Sequence, residues 1–147
     1  MEKLKVYLDT NMILDVFINQ AHTVHGKEVP PPTKYKFMLQ HIDKILFMTS
    51  ILTKAEVLRE LLTAYHCTKE QIEQFWDGFL SSLNCEYISE FVVSQPFLHI
   101  VEKINMKLRT MMNFQHVLIA MKEGAYFVTG DKDIVKKSAK TTSTATC

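Results

Sequence analysis

Four short apolar runs, separated by longer segments of helical spacing, set the pattern of this chain. The runs are KVYLD at 5–9, ILFMT at 45–49, CEYI at 85–88 and YFVTG at 126–130. Near-continuous apolar character over so few residues indicates strands that are buried on both faces, as in a parallel sheet. The alternation of strands and helices predicts an α/β fold in which right-handed crossovers place helices on both sides of the sheet.

The segments between and after these strands carry helix patterns. A capping hydroxyl at Thr49 or Ser50 precedes one helix, which has an apolar stripe and a polar stripe beside it. The apolar stripe is Ile51, Ala55, Leu58, Leu62 and Tyr65, and the polar stripe is Thr53, Glu56, Glu60 and Thr63. A second helix is predicted over 68–83, with Thr68 as its cap and Ile72, Phe75, Trp76 and Phe79 facing the core. Further helices are predicted over 94–109, 113–123 and 131–139.

Two segments fit neither pattern. The segment 19–34, NQAHTVHGKEVPPPTK, contains three consecutive prolines and is predicted to be an irregular loop that can act as a flap over the site. The polar tail KTTSTATC at 140–147 suits a short edge strand or disorder. With 147 residues and 47% hydrophobic content, we expect one domain spanning 1–147.

Net charge and cysteine content limit which binding partners and which cellular compartment we expect for this protein. Seventeen basic residues against 16 acidic ones give a net charge of +1, so a polyanion would need a local basic patch. Cys67, Cys85 and Cys147 are odd in number and lack zinc-type spacing, which indicates reduced thiols in a cytoplasmic protein. No apolar run approaches the roughly 18 residues of a membrane span, so no membrane partner is expected.

Acidic residues lie where the predicted strands end. Asp9 ends the first strand, and Asp131 and Asp133 follow the last one, so parallel strands deliver both groups to the same edge of the sheet. Glu56, on the polar stripe of the first predicted helix, can project toward the same edge. Each aspartate also suits a helix N-cap. Carboxylates that converge from separate elements repel one another and persist mainly around a hard cation such as Mg²⁺ or Mn²⁺, which supports phosphodiester hydrolysis.

Three segments in this order resemble a PIN domain, the fold of many metal-dependent endoribonucleases and of VapC-type toxins. They are VYLDTNMILDVF at 6–17, TSILTKAEVLRELL at 49–62 and NFQHVLIAMKEGAYFVTGDKDI at 113–134. The resemblance covers nearly the whole chain and implies a three-layer α/β/α sandwich with a central, mostly parallel sheet. It also implies RNA as the substrate, a homodimer, and an antitoxin or an RNA-processing protein as a partner.

The resemblance assigns roles by position. It implies that Asp9, Glu56 and Asp131 are catalytic acids that bind Mg²⁺ or Mn²⁺, with Asn113 and Asp133 completing the metal site. A metal-activated water would then attack the RNA phosphodiester. The small polar residues that would steady the acids are Thr10, Asn11 and Thr129. Basic residues that can form a phosphate-binding rim are Lys54, Arg59 and Lys132, with Arg109 and Lys136 beside them.

One position departs from the family pattern. Asn113 stands where PIN domains usually have an aspartate; it offers a carbonyl oxygen but has no charge and cannot act as a base. This departure favours an alternative, a PIN-like RNA- or protein-binding module with weakened catalysis. His116 matches a histidine-like position of the family, but its apolar neighbours favour packing, and we assign it no catalytic role. A phosphatase-type domain with Asp9 as nucleophile would need a second acid two residues later, where this chain has Asn11.

Overall fold

A four-stranded parallel sheet with the order β3-β2-β1-β4 forms the centre of the fold. The computed structural model describes residues 2–91, 95–103 and 107–130. The strands are β1 Leu4–Leu8, β2 Ile45–Ser50, β3 Glu86–Ile88 and β4 Tyr126–Val128. All four predicted strands are confirmed, and so is the α/β class. β4 ends at Val128, so Thr129 and Gly130 lie just beyond the strand.

Six helices accompany the sheet in the described residues. They are α1 Thr10–Val24, α2 Thr33–Gln40, α3 Ile51–Thr63, α4 Lys69–Leu83, α5 Gln95–Lys103 and α6 Leu108–Lys122. Side chains alternate along β1: Val6 and Leu8 join a core cluster with α1, α3 and α4, whereas Tyr7 joins a second cluster with Ile119 and Ala120 of α6. Helices therefore cover both faces of the sheet. No helix in the described part of the chain is both long enough and apolar enough to span a membrane.

The predicted loop over 19–34 is wrong at both ends. α1 continues through Val24 because Ala21 keeps its helical period and is fully buried, and α2 begins directly after the prolines, at Thr33. The irregular part is 25–32. The Asn19 side chain holds it by donating to the backbone oxygens of Val29 and Pro30 at 2.9 and 3.0 Å. This tether lies on the later half of α1, roughly 14 Å along the helix from its start.

The apolar stripe noted in the sequence of α3 is not the most buried face of the helix. Ile51 and Leu62, which the apolar stripe places inside, are each 41% exposed. The buried residues are Leu52, Thr53, Val57 and Leu61. The buried face combines Leu52, Val57 and Leu61 with Thr53 of the polar stripe, whose hydroxyl oxygen lies 3.4 Å from that of Thr10. Contact with the Thr10 hydroxyl lowers the cost of burying the Thr53 hydroxyl. Glu56 lies on the same helix, beside this buried face.

The other helix predictions have mixed outcomes. α4 has the predicted Thr68 cap, as a full capping box with Gln71, and Trp76 is 1% exposed and stacked on Phe17. The helix predicted over 94–109 is confirmed from Gln95 to Lys103 as α5, but its predicted end is wrong because Lys107 is the extended N-cap of α6. The helix predicted over 113–123 is confirmed as α6, which begins five residues earlier, at Leu108. The helix predicted over 131–139 and the tail 140–147 lie outside the described residues.

Candidate active site

Asp9 lies at the carboxyl end of the central strand and is the N-cap of α1. Its Oδ1 accepts the backbone N–H of Thr10 at 2.8 Å, and its Oδ2 accepts the Thr129 hydroxyl at 2.7 Å. The residue is only 3% exposed. Burial raises the pKa of the Asp9 carboxyl above its ordinary value, although the Thr129 hydrogen bond and the nearby His116 act in the opposite direction. Asp9 is therefore a helix N-cap, as the sequence allowed, and its carboxylate is buried.

Glu56 reaches the same place from α3. Its Oε1 accepts the Thr10 hydroxyl at 2.9 Å, so Thr10 contacts Asp9 through its backbone and Glu56 through its side chain. The same Oε1 lies 2.5 Å from Nε2 of His116, and that nitrogen is 3.9 Å from Oδ1 of Asp9. The Glu56 side chain is 31% exposed, so this carboxylate also faces solvent. Two carboxylates thus converge on one imidazole.

A buried hydrogen-bond chain lies behind His116. Nδ1 of the ring is 2.7 Å from the Tyr7 hydroxyl, which is 2.7 Å from Oγ of Ser50. Ser50, Tyr7 and His116 are each completely buried. Ser50 stands at the N-cap position of α3 but makes no side-chain cap hydrogen bond, so its hydroxyl serves this chain and the predicted capping role is wrong. Burial raises the pKa of the Tyr7 hydroxyl, which keeps it a phenol.

A clasp beyond β4 connects the end of the sheet to α1. Oδ1 of Asn11 accepts the backbone N–H of Gly130 at 3.1 Å, and Nδ2 of Asn11 lies 3.5 Å from Oγ1 of Thr129. Thr129 in turn donates to Asp9. The three small polar residues picked out by the sequence, Thr10, Asn11 and Thr129, therefore all lie within one hydrogen-bond network with the acids.

The donor set suits a hard cation. Asp9 and Glu56 supply carboxylate oxygens, which Mg²⁺ and Mn²⁺ prefer, and Asp9 is buried with hydrogen bonds but no lysine or arginine ion pair in the described residues. Two acids and a histidine do not make up a metal-binding group: across 2–91, 95–103 and 107–130, no three such residues are placed to hold an ion. Asp131 and Asp133, the other acids of the predicted metal site, lie outside the described residues.

The remaining residues predicted for the site are the amide at Asn113 and the basic side chains. Asn113 lies on α6, three residues before His116, and is partly buried. Lys54 is committed to an ion pair with Glu73 of α4 at 3.0 Å. Arg59 and Arg109 are exposed. Lys132 and Lys136 lie outside the described part of the chain. A basic rim is therefore not assembled from the described residues alone.

Sequence reasoning gave no role in the site to three residues of the network. Tyr7 is two positions before Asp9, so the period of a strand places both on one face, and this spacing was a usable signal. His116 is three positions after Asn113, which places both on neighbouring surfaces of α6. Ser50 gave no such signal, because a serine before a helix is normally a cap.

Comparison with known proteins supports the fold. No family model matches the chain, and no curated protein matches it in sequence. The fold is similar to that of a chain in the crystal structure of VapBC2 from Rickettsia felis bound to a DNA fragment from their promoter. The two chains superpose with a TM-score of 0.57 at 18% identity, over 90% of this chain and 92% of that one. The similarity shows that the two chains share an α/β fold.

Proposed function

We propose that this chain is a PIN-like, metal-dependent endoribonuclease. One observation carries the proposal: the buried Asp9 carboxylate at the end of β1 meets Glu56 from α3, and Thr10 contacts both. Acids that meet at the carboxyl edge of a parallel sheet lie where ligands bind in such folds. The fold similarity to a VapBC2 chain agrees with this reading.

Different residues of this chain would bind the metal ion, position its ligands and contact the RNA. Asp9, Glu56 and Asp131 would hold Mg²⁺ or Mn²⁺, with Asn113 and Asp133 completing the site. The bound ion would act as a Lewis acid toward the phosphodiester and lower the pKa of a water. Thr10 and Thr129 keep the acid oxygens in place through their hydrogen bonds. Arg59 and Lys132 would contact RNA phosphates, and Lys54 would join them only by sharing its charge with Glu73.

The test is cleavage of defined RNA. Pure protein is incubated with labelled single-stranded and hairpin RNAs in Mn²⁺, Mg²⁺ or EDTA, beside an Asp9→Asn variant prepared in the same way. We expect cleavage in Mn²⁺ or Mg²⁺, none in EDTA, and none by the variant. Asparagine is also a good N-cap, so the variant removes charge and leaves the cap. Equal cleavage by variant and wild type would overturn the assignment.

A second candidate is a PIN-like module that binds RNA or protein and has weakened catalysis. Asn113 favours it, because the position expected to supply a negative charge supplies an amide. RNA binding in a gel-shift assay without cleavage in any divalent ion would support this candidate over the nuclease.

We also propose a protein partner of the antitoxin type, with this chain as the cytoplasmic toxin. Support comes from the VapBC2 structure, in which the similar chain belongs to a complex bound to promoter DNA. Expression of the chain alone should then arrest growth, whereas expression of Asp9→Asn should not. Equal growth in the two strains, at matched protein levels, would count against a toxin. An RNA-processing partner is the alternative if the protein cuts RNA without arresting growth.

A further inference from the structure

We infer that His116 is a positioning residue for Glu56, and that Tyr7 and Ser50 set the orientation and the tautomer of its ring. The inference rests on the proposed function, since Glu56 is treated as a metal-binding acid. It assigns a role to three buried residues that belong to none of the predicted metal or substrate contacts.

The direction of each hydrogen bond follows from the acceptor at the end of the chain. A carboxylate only accepts, so Nε2 of His116 must donate to Oε1 of Glu56. In a neutral ring Nδ1 then accepts from the Tyr7 hydroxyl, and the Tyr7 oxygen accepts from Ser50. The chain of donors runs from Ser50 through Tyr7 and His116 to Glu56.

Burial makes this arrangement rigid. Ser50, Tyr7 and His116 are completely buried, so a polar atom that lost its partner there would not find water. The three come from the end of β2, from β1 and from α6, and the tilted Tyr7 and His116 rings lie with their centroids 5.7 Å apart. Glu56 is the only partly exposed member. A fixed interior therefore ends at a carboxylate that solvent, and hence an ion, can reach.

The geometry also fixes one of the two carboxylate oxygens of Glu56. Oε1 receives both the Thr10 hydroxyl and the imidazole, which restricts rotation of the carboxylate about its own axis. Partners of this kind behind a metal-binding group typically contribute roughly 10- to 100-fold in metal affinity or activity. We expect a contribution of that size from His116, and a smaller one from Tyr7 and Ser50, which act through it.

The first measurement is the ¹⁵N spectrum of the His116 imidazole in the metal-free protein. We expect Nε2 to be protonated in wild type, with the neutral Nδ1–H tautomer absent. In Tyr7→Phe, which removes only the hydroxyl, the ring should lose its single tautomer or exchange its Nε2 proton faster. A wild-type ring in the Nδ1–H tautomer would overturn the inference whatever the enzyme activity is.

The second measurement compares His116→Gln with His116→Leu. Glutamine keeps an N–H donor near the position of Nε2, whereas leucine fills similar space without one. Titration with Mn²⁺ should show a loss of roughly 10- to 100-fold in affinity for leucine and a clearly smaller loss for glutamine. RNA cleavage should lose kcat in the same order while KM for RNA stays unchanged. Equal losses in the two variants would mean that His116 is only packing.

Two controls keep the outcomes separate. Thr68→Ala destabilises the protein at a remote helix cap, so its Mn²⁺ affinity shows what lost stability alone does. If wild type binds Mn²⁺ but cuts no RNA, the proposed function is overturned. The positioning role of His116 is then decided by the Mn²⁺ affinities of its two variants alone. Wild type that binds no Mn²⁺ overturns both.

Discussion

Thr129 Oγ1 lies 2.7 Å from Oδ2 of Asp9 and donates a hydrogen bond to it, although the two residues are 120 positions apart in sequence. Residues at the ends of two adjacent parallel strands, β1 and β4, are joined in this way. The hydrogen bond favours the charged carboxylate, but loss of water around Asp9 has the larger effect, and the pKa of Asp9 is raised overall. Without a cation, the ionised form of Asp9 therefore destabilises the folded protein.

Asp9→Asn should raise the free energy of unfolding of the metal-free protein at neutral pH. Because the folded-state pKa of Asp9 lies above its ordinary value of 3.8, wild type loses stability as the pH rises from 3.8 through that raised value. The variant lacks this loss, so the difference should vanish below pH 3.8 and reach its full size above the raised pKa. Urea unfolding in EDTA across this range measures it. A difference that stays constant with pH would contradict the prediction.

Asn113→Asp should tighten Mn²⁺ binding and raise any nuclease activity. The change adds a carboxylate on α6, one helical turn before His116, to a site whose predicted acids are Asp9, Glu56 and Asp131. Added repulsion should lower the stability of the metal-free variant, and Mn²⁺ should then stabilise the variant more than wild type. Calorimetric titration with Mn²⁺ beside the cleavage assay gives the answer. Unchanged affinity and rate would place Asn113 outside the metal site.

Thr68→Ala should cost about 1 kcal/mol of stability and leave the site intact. The Thr68 hydroxyl accepts the Gln71 backbone N–H at 3.1 Å, and the Gln71 side chain accepts the Thr68 N–H at 2.9 Å. Losing such a cap typically costs about 0.5–2 kcal/mol. Thermal or urea unfolding measures the change. Mn²⁺ affinity equal to that of wild type is expected, and a parallel loss of affinity would show that α4 supports the pocket.

The protein should sediment as a homodimer at micromolar concentration. Large apolar side chains are left on its surface, among them Phe37 of α2 at 56% exposure and Leu108 of α6 at 73%. These two helices pack against opposite faces of the sheet, so Phe37→Asp and Leu108→Asp probe different sides, and only one variant should weaken association. Sedimentation velocity over a dilution series is the measurement. A wild-type monomer throughout the series would rule out this prediction.

The parts of the fold that were predictable are those with a local signal. Parallel strands such as β1 and β2 are short, apolar and bounded by polar residues, so composition alone locates them. The core face of α3 was not predictable in the same way, because apolar residues lie on more than one side of the helix and the buried side includes Thr53, whose contact with Thr10 is distant in sequence. Asp9 was found because an acid at the end of an apolar strand is unusual, and Glu56 because it lies on the polar stripe of the helix that follows the next strand. His116 was assigned to packing because its neighbours along α6 are apolar, whereas its partners are distant in sequence.

The position of β1 at the centre of the sheet also affects synthesis. β1 precedes both of its neighbours in the sequence; these are formed by 45–50 and 126–128, so β1 stays unpaired on one side until residues 126–128 have been translated. The hydrogen bond from Thr129 to Asp9 likewise cannot form until Thr129 has been translated. A growing polypeptide thus lacks a finished pocket until Thr129 has left the ribosome. For a ribonuclease this delay would protect the nearest RNA, the transcript and the machinery that are producing the protein.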